Sequence, residues 1–427
     1  MLRSRTRLVI CAALPAILAA GACTPGEDDG GTVLRVANWG SPAVEGAFMT
    51  LERIFAAEFE AKHPGVRVRV EQIPGHGQYA PKVIMMHVSG SPPDVIQLDA
   101  SSGAVFMDND VLRDLTPYIA NDDHFNLDVY FENVVDVFGG RNRLYAIPLD
   151  FTPMVMFYNK TLFDRAGVAY PQRGWTWDDF LDAAKRLTIH ADPDKPPTQY
   201  GFNFENVMPF WVLWLWTNGG DVLSPDGTRA SGYFDSPQSI EAIQFLVDLG
   251  RVHRVAPTLA ERDAAGVDLF LDGRAAMDLK GHWMMIDYRA RNINVGVAPL
   301  PTNNVEPSTV AYESGLAIMS GSRHPDLAWE YIKHMTSTGV QKRRVASGLA
   351  ISGNKKAAAH FAGDPVEDEF IRIVQYARPP WGARVERYVE CEDLGREMME
   401  DIQYGGKSVA EAMQETARMM DAAVKMP

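Results

Sequence analysis

The chain has 427 residues and a formal net charge of -14 at pH 7, with 46% hydrophobic and 22% charged residues. This composition is ordinary for a globular protein, and the length favours two domains because a single core rarely grows so large. An acidic chain without a dense basic stretch is a poor candidate for binding nucleic acid or for electrostatic docking on anionic lipid.

The first 22 residues have the layout of a secretion signal. Three arginines precede an apolar run over residues 8–20, and the small residues Gly21 and Ala22 follow it. The apolar run is too short to span a bilayer, which favours a cleaved signal over a membrane anchor. We therefore expect residues 1–22 to be removed and the protein to be exported.

Cys23 comes directly after those small residues and before a polar stretch that ends at Thr32. This arrangement resembles the cleavage site of a bacterial lipoprotein, in which the cysteine becomes the lipid-bearing first residue. The resemblance implies that residues 23–32 form a flexible tether, anchored by lipid to the outer face of the cytoplasmic membrane. Ala20 stands where a leucine is common, and the same small residues satisfy an ordinary cleavage signal, so simple secretion is the alternative.

The three cysteines leave no pair for an internal disulfide. Cys11 lies in the signal and Cys23 at the expected lipid site, so only Cys391 belongs to the body of the protein. Exported proteins often rely on disulfides, but a chain of this size can be held together by its core alone. We expect Cys391 to be a small buried residue and not a nucleophile.

Strand and helix patterns alternate through the first hundred residues. Apolar runs and alternations predict strands at 33–37, 66–70 and 95–98, and helical spacing predicts helices at 48–59 and 83–88 between them. Such an alternation predicts an α/β fold with a mainly parallel sheet and helices on its faces.

Polar and aromatic side chains follow two of these strands. Trp39 and Ser41 follow the first strand, and Asp99 follows the third. Ligands of parallel α/β sheets lie beyond the carboxyl ends of the strands, so these side chains are candidates for one binding crevice. As alternatives, Trp39 is a half-buried packing aromatic, and Asp99 caps the following segment.

Two further motifs have structural explanations. Thr176 and Asp179 have the spacing of a helix capping box, which explains the acids there better than catalysis does. The aromatic stretch 210–216 places Trp211 and Trp214 on one helix face, and such stripes are usually core. One member could still reach the crevice, and Trp211 is our candidate.

The order of short segments along the chain resembles the extracellular solute-binding proteins of bacterial ABC importers, in the class that binds sugars. The resemblance extends from Val33 nearly to the C-terminus. The segments are 38–40, 90–95, 145–148, 157–160, 273–277, 281–283, 300–301, 325–332 and 406–408, the last ahead of a closing helix over 410–420.

This resemblance implies a two-lobed, type II periplasmic-binding-protein-like fold, in which strands cross between the lobes and the solute is enclosed by hinge closure. Each lobe would be a mainly parallel sheet flanked by helices. The closed monomer would then deliver its solute to the transmembrane permease subunits of the importer. The implied lobes are discontinuous: 33–148 with 299–348, and 149–298 with 349–427.

Carried over position by position, the resemblance also implies which residues lie at the ligand. A sugar offers apolar faces to aromatic rings, and hydroxyls to carboxylates and arginine. Glu313 stands where many relatives have glycines, and is either an additional polar contact or a strand-end residue. Trp283 is the principal candidate. The set is Trp39, Ser41, Asp99, Asp150, Phe151, Trp283, Ser314, Arg378 and Trp381, to which we add Trp211 and Glu313.

Two other classes of function stay open at this point. A secreted glycoside hydrolase would also line its cleft with aromatics and carboxylates, but motifs such as H-E-x-x-H and G-x-S-x-G are absent from the sequence. A binding protein for a polyol phosphate or a polyamine would share the fold. We expect a protein without enzymatic activity, catalytic residues, metal or cofactor.

Overall fold

The structure is a computed structural model that describes residues 31–40, 45–74, 76–139, 143–303, 305–348 and 350–425. The predicted secretion signal, Cys23 with most of the predicted tether, and Ser41 lie outside the described residues. No helix in the part of the chain that the structure describes is both long and apolar enough to cross a membrane.

The strands belong to two separate sheets. They are β1 (Thr32–Gly40), β2 (Val66–Pro74), β3 (Val95–Asp99), β4 (Ala146–Pro153), β5 (Val155–Asn159), β6 (Tyr200–Asn203), β7 (Ala275–Lys280), β8 (Val295–Ala298), β9 (Thr309–Ile318), β10 (Ile351–Ser352) and β11 (Ala377–Arg378). The first sheet has the order β10-β4-β9-β3-β1-β2, with β11 beside β9, and the second has the order β6-β7-β5-β8.

Helices cover the faces of both sheets. They are α1 (Glu45–Lys62), α2 (His76–Val88), α3 (Gly103–Asp108), α4 (Thr116–Ala120), α5 (Glu132–Asp136), α6 (Lys160–Ala166), α7 (Trp177–Leu187), α8 (Met208–Trp216), α9 (Pro237–Arg251), α10 (Leu259–Ala265), α11 (Met285–Ala290), α12 (Pro325–Thr336), α13 (Thr338–Ala346), α14 (Lys355–Ala358), α15 (Pro365–Ile373), α16 (Tyr388–Gln403) and α17 (Val409–Ala423). Short 3₁₀ turns include His282–Met284 and Trp381–Arg384.

The capping box predicted at the start of α7 is confirmed. The Thr176 side chain accepts a hydrogen bond from the Asp179 backbone amide, and the Asp179 carboxylate accepts one from the Thr176 amide. Together these bonds satisfy two amides that a helix start otherwise leaves without partners. The two acids at this position therefore stabilise a helix.

Parallel pairing is confirmed where the sequence alternates between strand and helix, because β1 runs parallel to both β2 and β3. The second sheet is mainly antiparallel, and the prediction is wrong there: β6 and β7 are parallel, but β5 is antiparallel to both of its neighbours, β7 and β8. The chain passes from the first sheet into the second along β5, and it returns toward the first sheet after β8. Strand β5 therefore runs away from the crossing and β8 runs back toward it, which makes these two neighbours antiparallel.

Strands β4 and β9 carry the chain between the two sheets. They are antiparallel partners from Ala146↔Ala317 to Pro153↔Ala311, and only Met154 separates β4 from β5. Strand β10 pairs with β4 in the first sheet, although the sequence assigned this stretch to the second lobe. The crossing is thus part of the first sheet and leads directly into the second.

Each sheet packs its helices into a hydrophobic core, and a third cluster lies at the crossing. The core of the second sheet takes up most of the aromatic helix α8 and also the fully buried Cys391. Burial raises the pKa of the Cys391 thiol to about 12, so this side chain stays protonated. This placement agrees with the prediction that Cys391 is a buried packing residue.

Candidate binding site between the two lobes

The carboxyl ends of β1 and β3 lie side by side at one edge of the first sheet, because the two strands are parallel neighbours. Trp39 is half-buried there, with its ring 5.5 Å from the Tyr79 ring in an edge-on arrangement. Asp99 is buried, and its Oδ2 atom accepts a hydrogen bond of 3.0 Å from the Ser102 amide. Asp99 therefore also stabilises the turn before α3, the structural role that the sequence left open.

Glu313 on β9 is the buried acid nearest to this edge. Its residue is only 4% exposed, and within the described residues its Oε2 atom has no hydrogen-bond partner. Burial, followed by the negative charge of Asp99, raises the pKa of Glu313 well above its usual range. An acid in this state can donate a hydrogen bond, which an ionised carboxylate cannot do.

Asp150 and Ser314 are held in a polar network within the first lobe. The Ser314 hydroxyl donates to Asp150 at 2.5 Å, and the Arg344 guanidinium donates to the other Asp150 oxygen at 2.8 Å. Arg344 also pairs with the buried Glu52. Burial raises the pKa of Asp150 to about 6. Both residues lie on the crossing strands β4 and β9, and both side chains bond within the protein itself.

An aromatic surface of the second lobe is formed by Phe210 from α8 and Trp283 from the 3₁₀ turn after β7. Both rings are half-buried and roughly parallel, with centroids 6.4 Å apart and an interplanar angle of 28°. A Cβ atom on Gly281 would lie 2.0 Å from the Trp283 ring, so the close packing of this ring requires glycine there. We call Phe210 and Trp283 the aromatic shelf.

Charged side chains border the aromatic shelf. The Lys280 ammonium lies 4.7 Å from the centre of the Phe210 ring, and Glu205 forms ion pairs with both Lys280 and Arg262. Asn203 donates to the buried Asp278, whose pKa is raised to about 7, chiefly by burial. The shelf thus combines apolar faces with hydrogen-bonding groups.

The start of α16 brings the second lobe close to Asp99. Burial raises the pKa of Tyr388, and the carboxylates of Asp99 and Glu392 raise it further. Nearby, the Asn109 amide of the first lobe donates to Glu386 at 3.2 Å. The edge that carries Asp99 therefore faces the second lobe, and the two lobes are in contact beside it.

Three predicted aromatic contacts are buried in this structure. Phe151 is 0% exposed in the cluster at the crossing, and Trp211 and Trp381 are 1% and 2% exposed in the core of the second lobe. Their rings have almost no exposed surface in this structure, and as ligand contacts these three residues stay predictions. Arg378 is half exposed, stacks 5.3 Å from the Trp216 ring and lies 3.9 Å from Asp221.

Sequence reasoning missed Phe210, Lys280 and Glu205. Phe210 directly precedes Trp211, and only the orientation of the helix decides which of two adjacent rings is buried. Glu205 and Lys280 are 75 residues apart, so no local pattern could have linked them. Within the described residues, no group of three His, Cys, Asp or Glu side chains could hold a metal ion.

Two lobes of mixed α/β structure, joined by crossing strands and facing each other across a crevice, define a type II solute-binding fold. The chain belongs to the bacterial extracellular solute-binding protein family, whose family model matches residues 43–342. Proteins of this family act outside the cytoplasm, so this protein is exported.

Three similar proteins illustrate the relationship. An ABC substrate-binding protein of Listeria monocytogenes, solved in complex with cycloalternan, has a TM-score of 0.80 and 23% identity, covering 93% of this chain and 100% of its own. The GacH receptor of Streptomyces glaucescens, solved unliganded and with acarbose, has a TM-score of 0.76 and 22% identity, covering 92% and 99%. The sn-glycerol-3-phosphate-binding periplasmic protein of Agrobacterium fabrum is 20% identical over 361 residues, covering 78% and 80%.

The raised pKa of Glu313 predicts a pH-dependent stability. Because the folded protein keeps this proton above about pH 4.3, where an unfolded glutamate loses it, stability falls as the pH rises toward the folded pKa. Glu313→Gln removes this dependence. Between about pH 5 and pH 8 the free energy of unfolding of the wild type should fall relative to the variant, by at most about 1.4 kcal/mol per pH unit.

Thermal or urea unfolding across that pH range measures the difference. The matched control is Glu397→Gln, at an acid whose side chain is 62% exposed, and this variant should follow the wild type. Parallel pH profiles for the wild type and Glu313→Gln would show that Glu313 ionises like an exposed acid.

Proposed function

We propose that this protein captures a carbohydrate, either a mono- or an oligosaccharide, outside the membrane and delivers it to the permease of an ABC importer. The observation that carries the proposal is the pair of complementary surfaces: the aromatic shelf on the second lobe, and the acidic edge with Asp99 and Glu313 on the first. Relatives of the same fold were solved with cycloalternan and with acarbose, which supports a sugar as the solute.

The chemistry of the two surfaces suits a sugar. The shelf offers apolar ring faces for the C–H faces of a pyranose, and Trp39 offers another from the first lobe. Sugar hydroxyls can donate to Asp99 and accept from a protonated Glu313. Lys280 and Glu205 can contribute further bonds at the border of the shelf.

Capture proceeds by hinge closure. A solute that touches both lobes makes all of its contacts only when the lobes are close together, so binding shifts the equilibrium toward the closed form. The crossing strands β4 and β9 are the short connections about which this motion takes place. No bond in the solute is made or broken, and the protein needs no cofactor.

The lobes of the proposal follow the discontinuous division implied by the sequence, with one adjustment. Residues 33–148 with 299–348 form the first lobe, and 149–298 with 349–427 form the second, except that the β10 strand belongs with the first because it pairs with β4. We propose that the protein acts as a monomer. Ser41 stays a predicted contact, and Arg378 a contact at the margin of the crevice.

A polyol phosphate is the second candidate solute, favoured by the similarity to the glycerol-3-phosphate-binding protein. The first-lobe edge argues against it, because the carboxylate of Asp99 would face a dianionic ligand there. A polyamine would suit the acids and the aromatic rings. Sugar is preferred because the shelf is bordered by Lys280 as well as by acids.

The decisive experiment is the thermal stabilisation of a soluble form that begins after Cys23, measured against mono- and oligosaccharides, polyol phosphates and polyamines. A ligand at 100 times its dissociation constant should raise the free energy of unfolding by about 2.7 kcal/mol. A sugar that stabilises the protein and is recovered unaltered would support capture without turnover. Consumption of the sugar would favour a hydrolase, and stabilisation only by phosphates or amines would reject the sugar.

Trp283→Ala should weaken binding of the identified solute at least about 100-fold, because it removes an aromatic stacking face. The fold should be retained, since this ring is half-buried at the margin of the core. Isothermal titration calorimetry checks the affinity, with Tyr404→Ala, at an exposed aromatic, as the control. Unchanged affinity in a folded Trp283→Ala variant would remove Trp283 from the site.

The lipid anchor is also a proposal, based on the residues around Cys23. Cys23→Ala should release the mature protein from the membrane fraction, because the cysteine sulfur is the attachment point of the lipid. Fractionation of cells that express each form, with Cys391→Ala as the control, measures this effect. Membrane association of Cys23→Ala equal to that of the wild type would reject the anchor.

A further inference from the structure

Two hydrogen bonds connect the aromatic shelf to the crossing strands. On the Trp283 side, the backbone amide of His282 donates to the Thr152 hydroxyl on β4 at 2.6 Å. On the Phe210 side, the Tyr312 hydroxyl of β9 donates to the carbonyl oxygen of Pro209 at 3.1 Å. Each half of the shelf is thus bonded through the residue that directly precedes its aromatic ring.

The strand ends of these two bonds lie opposite each other. Thr152 and Tyr312 are direct partners in the antiparallel pairing of β4 and β9. The path from Trp283 through His282, Thr152, Tyr312 and Pro209 to Phe210 is therefore closed by the stacking of the two rings. The backbone that carries each ring is thus bonded to the crossing strands, and the two rings are stacked on each other.

Other contacts hold the Trp283 turn against its own lobe. The His282 ring is buried, lies 4.8 Å from the Phe370 ring and bonds through Nε2 to Glu367 at 2.8 Å. Glu367 in turn accepts from Arg289 at 2.7 Å. With its side chain fixed in this way, the backbone amide of His282 has a defined direction toward Thr152.

The Thr152 and Tyr312 hydroxyl groups lie in surroundings that maintain their hydrogen bonds. Thr152 is buried, and burial raises the pKa of Tyr312 well above its usual range, with smaller contributions from Glu392 and Asp99. The phenol keeps its proton and remains a donor throughout the physiological pH range. In such surroundings, loss of one partner leaves a polar group unsatisfied, which costs more than an exposed bond would.

We propose that Thr152 and Tyr312 are positioning residues for solute capture, which fix the aromatic shelf to the two strands about which the lobes close. Movement of the aromatic shelf is then coupled to the geometry of the crossing strands. Solute bound on the shelf therefore shifts the equilibrium toward the closed form. This role rests on the proposed function of the crevice. Neither hydroxyl needs to touch the solute.

The test compares Thr152→Val and Tyr312→Phe with two variants that lose equivalent bonds elsewhere. Thr336→Val removes a buried threonine hydroxyl on α12 that bonds to the Ile332 carbonyl at 2.8 Å, away from the shelf and the crossing strands. Tyr130→Phe removes a buried phenol that bonds to Thr336 at 3.1 Å. All four variants lose one internal hydrogen bond, but only the first two release the shelf.

The first measurement is amide hydrogen exchange without solute. In Thr152→Val, the amides of peptides that cover 281–285 should exchange about tenfold faster than in the wild type. In Tyr312→Phe, the amides of peptides that cover 208–213 should exchange about tenfold faster. Neither control variant should change the exchange of these two segments. Exchange equal to that of the controls would overturn the proposal. Because no solute is present, this result stands whether or not the wild type binds a sugar.

The second measurement is the dissociation constant of the solute identified by thermal stabilisation. Thr152→Val and Tyr312→Phe should each weaken binding about five- to tenfold, and the controls by less than about twofold. Thr152→Ser, which keeps the acceptor oxygen, should restore the wild-type affinity. If Thr152→Val does not fold, Tyr312→Phe decides the outcome, and an unchanged dissociation constant in it would overturn the proposal. A wild type that binds no sugar would instead reject the proposed function.

Discussion

The antiparallel pairing of β4 and β9 is the interaction on which the rest of the molecule depends. It runs from Ala146↔Ala317 to Pro153↔Ala311, adds two strands to the first sheet and leads after one residue into the second. All of its paired residues lie inside the first sheet. The two surfaces of the crevice are set by this pairing.

The polar side chains on the crossing strands bond to different parts of the protein. Asp150 and Ser314 are engaged in a network with Arg344, which holds the strands to the helices of the first lobe. Thr152 and Tyr312, two register steps further along, bond instead to the second lobe. Glu313 lies between Tyr312 and Ser314 in sequence, and its Oε2 atom lacks a partner within the described residues. Neighbouring residues of these strands therefore make contacts with different parts of the protein.

Helix geometry explains why one aromatic ring of α8 packs in the core and its neighbour belongs to the aromatic shelf. Trp211 and Phe210 are adjacent on α8, and a helical step of about 100° turns one ring into the core and the other toward Trp283. In the segment 281–283, which the resemblance singled out, Gly281 leaves room for the Trp283 ring. Phe151 and Trp381, to which it also pointed, are buried, and Trp283, Phe151 and Trp381 stay predicted ligand contacts.

The sequence by itself determined the class of the fold, the parallel half of the first sheet and the capping box of α7, because these depend on patterns within a few tens of residues. It also indicated the acidic strand end at Asp99. Only the tertiary structure decided the antiparallel second sheet, the burial of Glu313 and the meeting of Glu205 with Lys280. These features depend on the pairing of segments far apart in the chain, and side-chain direction at a strand or helix end is fixed only when those segments pack together.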